Sequence, residues 1–201
     1  MNKSTKAGLA WVVSTLLVLF SAVPQGWSAT DTITLTVTPT CSDAIVVSAA
    51  PEPYDFGTTI AYNQTTHSTR SITVQNTGTC ADTWSLQATG NTVGGGGTVW
   101  TAGSNAEGIS ANRYVLRAAF TSADTMPGSN TTTFDANGVV DDGSATTCTG
   151  TVYAGGGATC LDVPATGTNT RYMWFRLELP SSSGDTSTGI QHTITVTLST
   201  T

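Results

Sequence analysis

The chain has little charge, and positive charge is the scarcer kind. Of 201 residues 10% are charged, with seven lysines and arginines against thirteen acidic residues. The two lysines, Lys3 and Lys6, stand at the start of the sequence. A protein that binds nucleic acid or an anionic membrane surface needs basic residues to neutralise phosphate. The composition therefore predicts neither kind of partner.

Histidine and catalytic motifs are also scarce. The two histidines, His67 and His192, have no ligand-like spacing to the cysteines, and the sequence holds neither CxxC nor GxSxG. A hydrolytic site needs a nucleophile beside a base, and a zinc site needs clustered thiol and imidazole ligands. We therefore predict a non-enzymatic protein without a metal or cofactor. We expect both histidines to be exposed loop residues.

The stretch "DANGVVDDG" is the one candidate for a calcium site. Its oxygen ligands would come from Asp135, Asn137, Asp141 and Asp142. An EF-hand-type loop also needs an oxygen ligand at its fifth position and glutamate at its twelfth. Val139 and Thr146 occupy those positions. The pattern therefore favours a solvated acidic turn.

Residues 1–29 have the three-part layout of a secretion signal. Two lysines precede an apolar run from Leu9 to Val23, and a short polar segment follows. The run is short for a membrane span, which favours a signal cleaved after Ser28 or Ala29 over an uncleaved anchor. The predicted mature chain, 30–201, has five arginines against thirteen acids, a net charge of −8. We expect it to be secreted or at the cell surface, without a transmembrane segment.

Four cysteines follow the predicted signal: Cys41, Cys80, Cys148 and Cys160. An even number behind an export signal indicates two disulfides formed in an oxidising compartment. Three pairings are possible. We favour Cys41 with Cys80 and Cys148 with Cys160, because the second pair encloses a glycine-rich stretch that folds back readily.

The mature chain alternates apolar and polar residues with period two, and no segment shows a sustained helical period. This pattern predicts β-strands, and strands without intervening helices form an antiparallel sandwich or barrel. We predict one all-β domain over 30–201, an antiparallel immunoglobulin-like β-sandwich of Greek-key type with disulfides. Segments rich in glycine, serine and threonine, such as "TGNTVGGGGT", are predicted to be loops. The strand candidates are Asp31–Thr38, Ile45–Ser48, "STRSITVQNTG", "DTWSLQA", "NRYVLRAAF", "TRYMWFRLELP" and "HTITVTLSTT".

One strand candidate has aromatic residues on the face opposite its apolar core residues. In "TRYMWFRLELP", Tyr172 and Trp174 alternate with Met173 and Phe175. If only one face of this strand is covered, Tyr172 and Trp174 form an exposed aromatic interface. Such rings stack on sugars, so a secreted carbohydrate-binding or adhesive module acting as a monomer is one hypothesis. Core packing is the more usual role of aromatic residues in a sandwich.

The first strand candidate lies directly behind the predicted cleavage site. Ile33, Leu35 and Val37 alternate with threonines in "DTITLTVTPTC", and "HTITVTLSTT" repeats this pattern at the end of the sequence. The order "TLTVTPTC", "YDFG", "STRSITVQNTGTC", "WSLQ" resembles the first half of the spore coat U and archaic chaperone-usher pilin family. More broadly, the chain resembles secreted bacterial immunoglobulin-like surface proteins. It departs from the pilin pattern because Cys80 follows its strand rather than lying within it, and because the middle of the chain does not match.

The resemblance implies a structural subunit that joins identical subunits. In such proteins a sandwich lacks one strand, and the N-terminal extension of the next subunit fills the groove. Residues 30–40 would then be the donated strand, docking through Ile33, Leu35 and Val37. A filament, pilus or coat would result, with a periplasmic chaperone as a further partner. The alternative is that Asp31–Thr38 is simply the first strand of a complete monomeric sandwich.

Overall fold

The computed structural model describes residues 41–48, 56, 61–94, 97–104, 107–128, 134, 138–140, 143–155, 158–184, 190 and 192–201. All belong to the unit Thr40–Thr201. The strand predicted over Asp31–Thr38 lies outside these residues. Within them, no helix has the length and apolar character needed to cross a membrane.

The described secondary structure consists of β-strands, as the period-two pattern predicted. The strands are β1 (Ile45–Ser48), β2 (Thr65–His67), β3 (Ile72–Asn76), β4 (Trp84–Val93), β5 (Thr101–Ala102), β6 (Arg113–Thr121), β7 (Thr146–Thr147), β8 (Thr170–Glu178) and β9 (His192–Thr200).

The larger sheet has the strand order β1-β3-β8-β6-β5. Strand β2 pairs with the C-terminal part of β8, beyond the part that pairs with β3. Strand β8 therefore has neighbours on both edges, with β6 opposite β2 and β3. These pairings are antiparallel, whereas β5 and β6 pair in parallel.

The smaller sheet has the order β7-β4-β9, with antiparallel pairing throughout. Strand β4 continues to Val93, with a shift of register between Ala88 and Gly90. The prediction that "TGNTVGGGGT" is wholly a loop is therefore wrong for its first five residues. Pairing with β9 overrides the low strand propensity of Gly90 and Asn91, because ladder hydrogen bonds and cross-strand contacts act where local propensity is weak.

One hydrophobic cluster fills the space between the two sheets. The inward rows of β3, β4, β6 and β8 contribute to it, and the inward row of β9 packs against it. Trp84 of the smaller sheet lies 5.7 Å from Phe120 of the larger sheet between ring centroids, in a tilted arrangement. The buried members of this cluster include Ile72, Val74, Trp84, Leu86, Ala88, Leu116, Ala118, Phe120, Met173, Phe175 and Leu177. The fold is thus two β-sheets packed face to face.

Two disulfides join the pairs that the sequence favoured. Cys41 is bonded to Cys80 and Cys148 to Cys160, with Cα–Cα distances of 5.4 and 5.5 Å. The second closes the glycine-rich loop, where Gly155 and Ala158 form an antiparallel bridge. The prediction of an all-β chain with two disulfides is confirmed.

Candidate functional site

Among the described strands, β9 lies at one edge of the smaller sheet. It pairs with β4 along its full length, from Val93 opposite His192 to Trp84 opposite Thr200. Among the described residues, no strand pairs with the edge of β9 that faces away from β4. We call this edge the outer edge of β9. An edge strand offers backbone N–H and C=O groups to a further strand, so natural proteins cover or protect such edges.

The side chains of β9 alternate without interruption between partly buried and exposed. Ile194, Val196 and Leu198 face the hydrophobic cluster, but each is only partly buried against it. On β8, by contrast, Phe175 and Leu177 are 5% and 6% exposed. The apolar row on β9 therefore retains accessible surface that a further strand along the outer edge would cover.

The start of β9 is held by an aromatic stack. The His192 ring lies parallel to the Trp100 ring, with centroids 3.6 Å apart. Trp100 Nε1 donates a hydrogen bond to Ser183 Oγ at 3.2 Å, and Tyr62 meets the indole edge-on at 6.3 Å. The stack buries Trp100 to 7% exposure, so this ring offers no open face to a ligand.

The end of β9 is fixed beside the start of β4. Thr201 donates from its backbone N–H and its Oγ1 to the carbonyl of Thr83, at 2.9 and 3.0 Å. Thr83 lies three positions after Cys80, so the end of β9 and the first disulfide share one end of the sandwich. The His192 stack lies at the opposite end.

A set of bonds around Cys41 fixes the point where the N-terminal segment joins the sandwich. Beside the disulfide to Cys80, Ser42 N–H donates to Thr79 Oγ1 and Thr79 N–H donates to Ser42 O. Thr77 N–H donates to the carbonyl of Ala44 at 2.9 Å. We call Cys41–Ala44 with Thr77–Cys80 the N-terminal clamp. It holds the chain immediately after residues 30–40.

Gly78 allows the two segments of the clamp to approach closely. A Cβ at this position would lie 2.3 Å from the carbonyl oxygen of Ser42. Real Cβ atoms do not approach backbone oxygens so closely, so any side chain would push Ser42 away. The "NTG" turn after β3 therefore serves close backbone packing.

Asn76 organises the same turn and was not singled out by sequence reasoning. It is fully buried, and its Nδ2 donates to the carbonyls of Cys80 and Val163 at 2.9 and 2.8 Å. Its Oδ1 accepts from Gly78 N–H at 2.8 Å. A buried amide with these partners fixes the turn, since breaking the set would leave polar groups unsatisfied. The available signal was asparagine as the last residue of a strand before a turn.

Asp82 is a buried carboxylate next to the N-terminal clamp. It is 3% exposed, and its Oδ2 has no hydrogen-bond partner among the described residues. Burial raises the pKa of this carboxyl above its ordinary value, and the nearby charge of Asp43 raises it further. The ionised form is therefore disfavoured in the folded protein.

The predicted exposed aromatic interface is not present at Trp174. This residue is 4% exposed, and its Nε1 donates to Thr121 Oγ1 at 3.1 Å. Phe134 and Ala119 pack with it in a second cluster on the outer face of the larger sheet, and Tyr172 lies partly buried against that cluster. The prediction was wrong for Trp174, because Phe134, which is distant in sequence, packs against it.

The histidines also differ from the expectation of exposed loop residues. His67 lies in β2, partly buried, with its ring 5.7 Å from that of Phe134. His192 is the first residue of β9, within the stack described above. Within the described ranges, no group of three potential metal ligands occurs.

Two sets of predicted site residues lie outside the described residues. These are the docking residues Ile33, Leu35 and Val37, and the acidic-turn residues Asp135, Asn137, Asp141 and Asp142. The structure therefore describes the outer edge of β9 and the N-terminal clamp, but not the side chains predicted to dock. Searches of family models, curated proteins and solved structures found no match to this chain.

Proposed function

We propose that the protein is a non-enzymatic, secreted structural subunit that self-assembles by N-terminal strand exchange. The site is the outer edge of β9, and the incoming element is residues 30–40 of another copy. The observation that carries the proposal is the partly covered apolar row Ile194, Val196 and Leu198 on an edge strand.

The strand order supports this proposal. A constant-type immunoglobulin sandwich has strands A, B, E and D in one sheet and C, F and G in the other. The order β1-β3-β8-β6 over β4-β9 corresponds to A-B-E-D over C-F. Strand β9 then occupies the position of F, and no described strand occupies that of G. The position beside the outer edge of β9 is where that fold has its seventh strand.

The chemistry of residues 30–40 suits this position. Thr32, Thr34 and Thr36 alternate with Ile33, Leu35 and Val37, as a strand with one covered face requires. Burying these three apolar side chains contributes about 5 to 8 kcal/mol before the cost of ordering the strand. Ladder hydrogen bonds with β9 would add to this, as in other cases of strand addition to a sheet edge.

The other features of the chain are consistent with a subunit outside the cytoplasm. Two disulfides require an oxidising compartment in most organisms. A glycan-binding function has less support, because Trp174 is buried.

Deleting Asp31–Thr38 from the mature chain tests the proposal. We expect the intact chain to form large assemblies and the deletion variant to remain a folded monomer, measured by light scattering and circular dichroism. The matched control replaces Thr32, Thr34 and Thr36 by serine, which keeps the apolar row and should preserve assembly. An intact chain that is monomeric, and that unfolds when the segment is deleted, would show that the strand belongs to its own sandwich.

A further inference from the structure

The N-terminal clamp limits how the chain's own strand can reach the outer edge of β9. Cys41 is bonded to Cys80, and Thr201, directly after β9, is bonded to Thr83. Cys80 precedes β4 on the side away from His192. The N-terminal segment therefore leaves the sandwich at the end where β9 finishes.

This position fixes the direction of any pairing within one chain. A strand that enters Cys41 from along the outer edge runs from the His192 end to the Thr201 end. Strand β9 runs the same way, so the chain's own residues 31–38 can pair with β9 only in parallel. Antiparallel pairing with Leu35 opposite Val196 would place Thr38 near Thr193, at the far end of β9.

Chain length excludes the antiparallel arrangement within one copy. From Thr193 to Thr201 the strand spans about 26 Å, at roughly 3.3 Å per residue. The link from Thr38 to Cys41 is three residues, which reach at most about 11 Å. The strand of a second copy is not limited in this way, because the clamp that holds that strand belongs to the second copy and not to the copy that receives it.

We infer that the Cys41–Cys80 clamp selects exchange between copies, because it denies the chain's own strand the antiparallel position beside β9. This inference rests on the proposed function and specifies how the same site is regulated. Antiparallel pairing is the more stable mode per residue, and the other pairings of β9 and β4 are antiparallel. The position left open is thus the favoured one.

The same geometry gives the register and the mode of assembly. With Leu35 opposite Val196, Ile33 faces Leu198 and Val37 faces Ile194, so the two apolar rows match. Each copy then donates its residues 31–38 from the end that carries the N-terminal clamp. It receives the strand of another copy along the outer edge of β9, and that strand runs toward the His192 end. The contact is head-to-tail, between different surfaces of the two copies, and such contacts extend into a filament where the rotation does not close a ring.

Engineered cysteines on the outward faces test the direction and the source of the strand. In the antiparallel register Thr32 lies opposite Ser199. In the parallel register that also places Leu35 opposite Val196, Thr32 lies opposite Thr193. We would combine Thr32→Cys with Ser199→Cys in one full-length variant and with Thr193→Cys in another. Thr147→Cys, exposed on β7 at the opposite edge of the sheet, replaces the second cysteine in the control.

The expected result is a ladder of covalent multimers on non-reducing gels for the Ser199 pair, and none for the control. A covalently closed monomer with the Ser199 pair would overturn the inference, because it would place the chain's own strand antiparallel to β9. A ladder with the Thr193 pair alone would also overturn it, while leaving exchange between copies intact. A closed monomer with the Thr193 pair, or no cross-link with either pair, would refute the proposed function itself.

Opening the clamp tests its role as the selector. In a variant with Cys41→Ser and Cys80→Ser, the chain is anchored here by the hydrogen bonds of the clamp and by the four-residue pairing of β1 with β3, which can open without breaking a covalent bond. In β1, Val46 and Val47 add little burial, since they are 46% and 43% exposed. Release of Ile45 and Val46 leaves about nine residues after Thr38, which reach about 31 Å. We expect the Ser199 pair to shift from ladders to closed monomers in this background. The matched control, Cys148→Ser with Cys160→Ser, should keep the ladder. Identical ladders in both backgrounds would overturn the inference.

Discussion

Strands β8 and β9 are each nine residues long and have apolar side chains on one face at every second position. Strand β8 has neighbours on both edges, and its inward residues Met173, Phe175 and Leu177 are 4–6% exposed. Strand β9 has β4 on one edge, and its inward residues are only partly buried. A similar apolar alternation thus gives a fully buried inward row on β8 and a partly buried one on β9. Among the described residues, β8 has paired strands on both edges and β9 on one.

Truncating one leucine on each strand to alanine, Leu177 on β8 and Leu198 on β9, measures this difference. We expect the larger loss of unfolding free energy on β8. Leu177→Ala removes a buried side chain from a position with neighbours on both sides, leaving a cavity that the sheet cannot close. We expect the free energy of unfolding to fall by about 3 kcal/mol, measured by urea denaturation of the monomeric deletion variant. A loss below about 1 kcal/mol would mean that β8 is not the core strand described here.

Leu198→Ala makes the same truncation on β9, where the side chain is partly exposed. In the monomeric deletion variant we expect a loss of about 1 kcal/mol, because less apolar area returns to water. In the assembled protein the same change should cost about as much as Leu177→Ala, because the incoming strand completes the burial. Equal costs in monomer and assembly would contradict the claim that β9 is covered by a neighbour.

The smallest change in the free energy of unfolding is expected for Asp82→Asn, beside the clamp. This substitution is expected to stabilise the protein, whereas the two leucine substitutions destabilise it. A carboxyl whose pKa is raised on folding contributes stability below its unfolded pKa, and that contribution is lost as pH rises through the folded pKa. Asp82→Asn should therefore raise the unfolding free energy at pH 7 by up to about 1 kcal/mol and reduce this loss. Urea denaturation from pH 3 to 7 checks it. Asp124→Asn, at an exposed position, is the charge-matched control. A destabilising Asp82→Asn would show that the ionised carboxylate is needed.

Six of the nine described strands, β1, β3, β4, β6, β8 and β9, could be predicted because period-two alternation is a local property of the sequence. The strands of two or three residues, β2, β5 and β7, were not predicted, since so short a stretch shows no period. The disulfide pairs followed from cysteine spacing and a foldable glycine-rich loop. Two further features could not be predicted this way. Trp174 is covered by Phe134, which is distant in sequence. The extension of β4 to Val93 depends on pairing with β9, which local composition does not reveal.

The candidate site was predicted in part. The sequence drew attention to residues 30–40, but it presented "HTITVTLSTT" as one more strand of a sandwich. Among the described strands this one lies at a sheet edge, with a partly covered apolar row, and that position follows from strand order and not from alternation. Asn76 was missed for a related reason, since its role arises from carbonyls at Cys80 and Val163 that meet it only in the folded chain.

Hydrogen–deuterium exchange at the backbone amides of β9 tests the central claim most directly. The mature chain would be compared with the Asp31–Thr38 deletion variant, and β4 would serve as the internal reference because its pairing is the same in both. We predict slow exchange throughout β9 in the assembled chain, and fast exchange at about half of its amides in the deletion variant. Equal exchange in β9 for both proteins would contradict the claim that a strand from another copy completes this sheet.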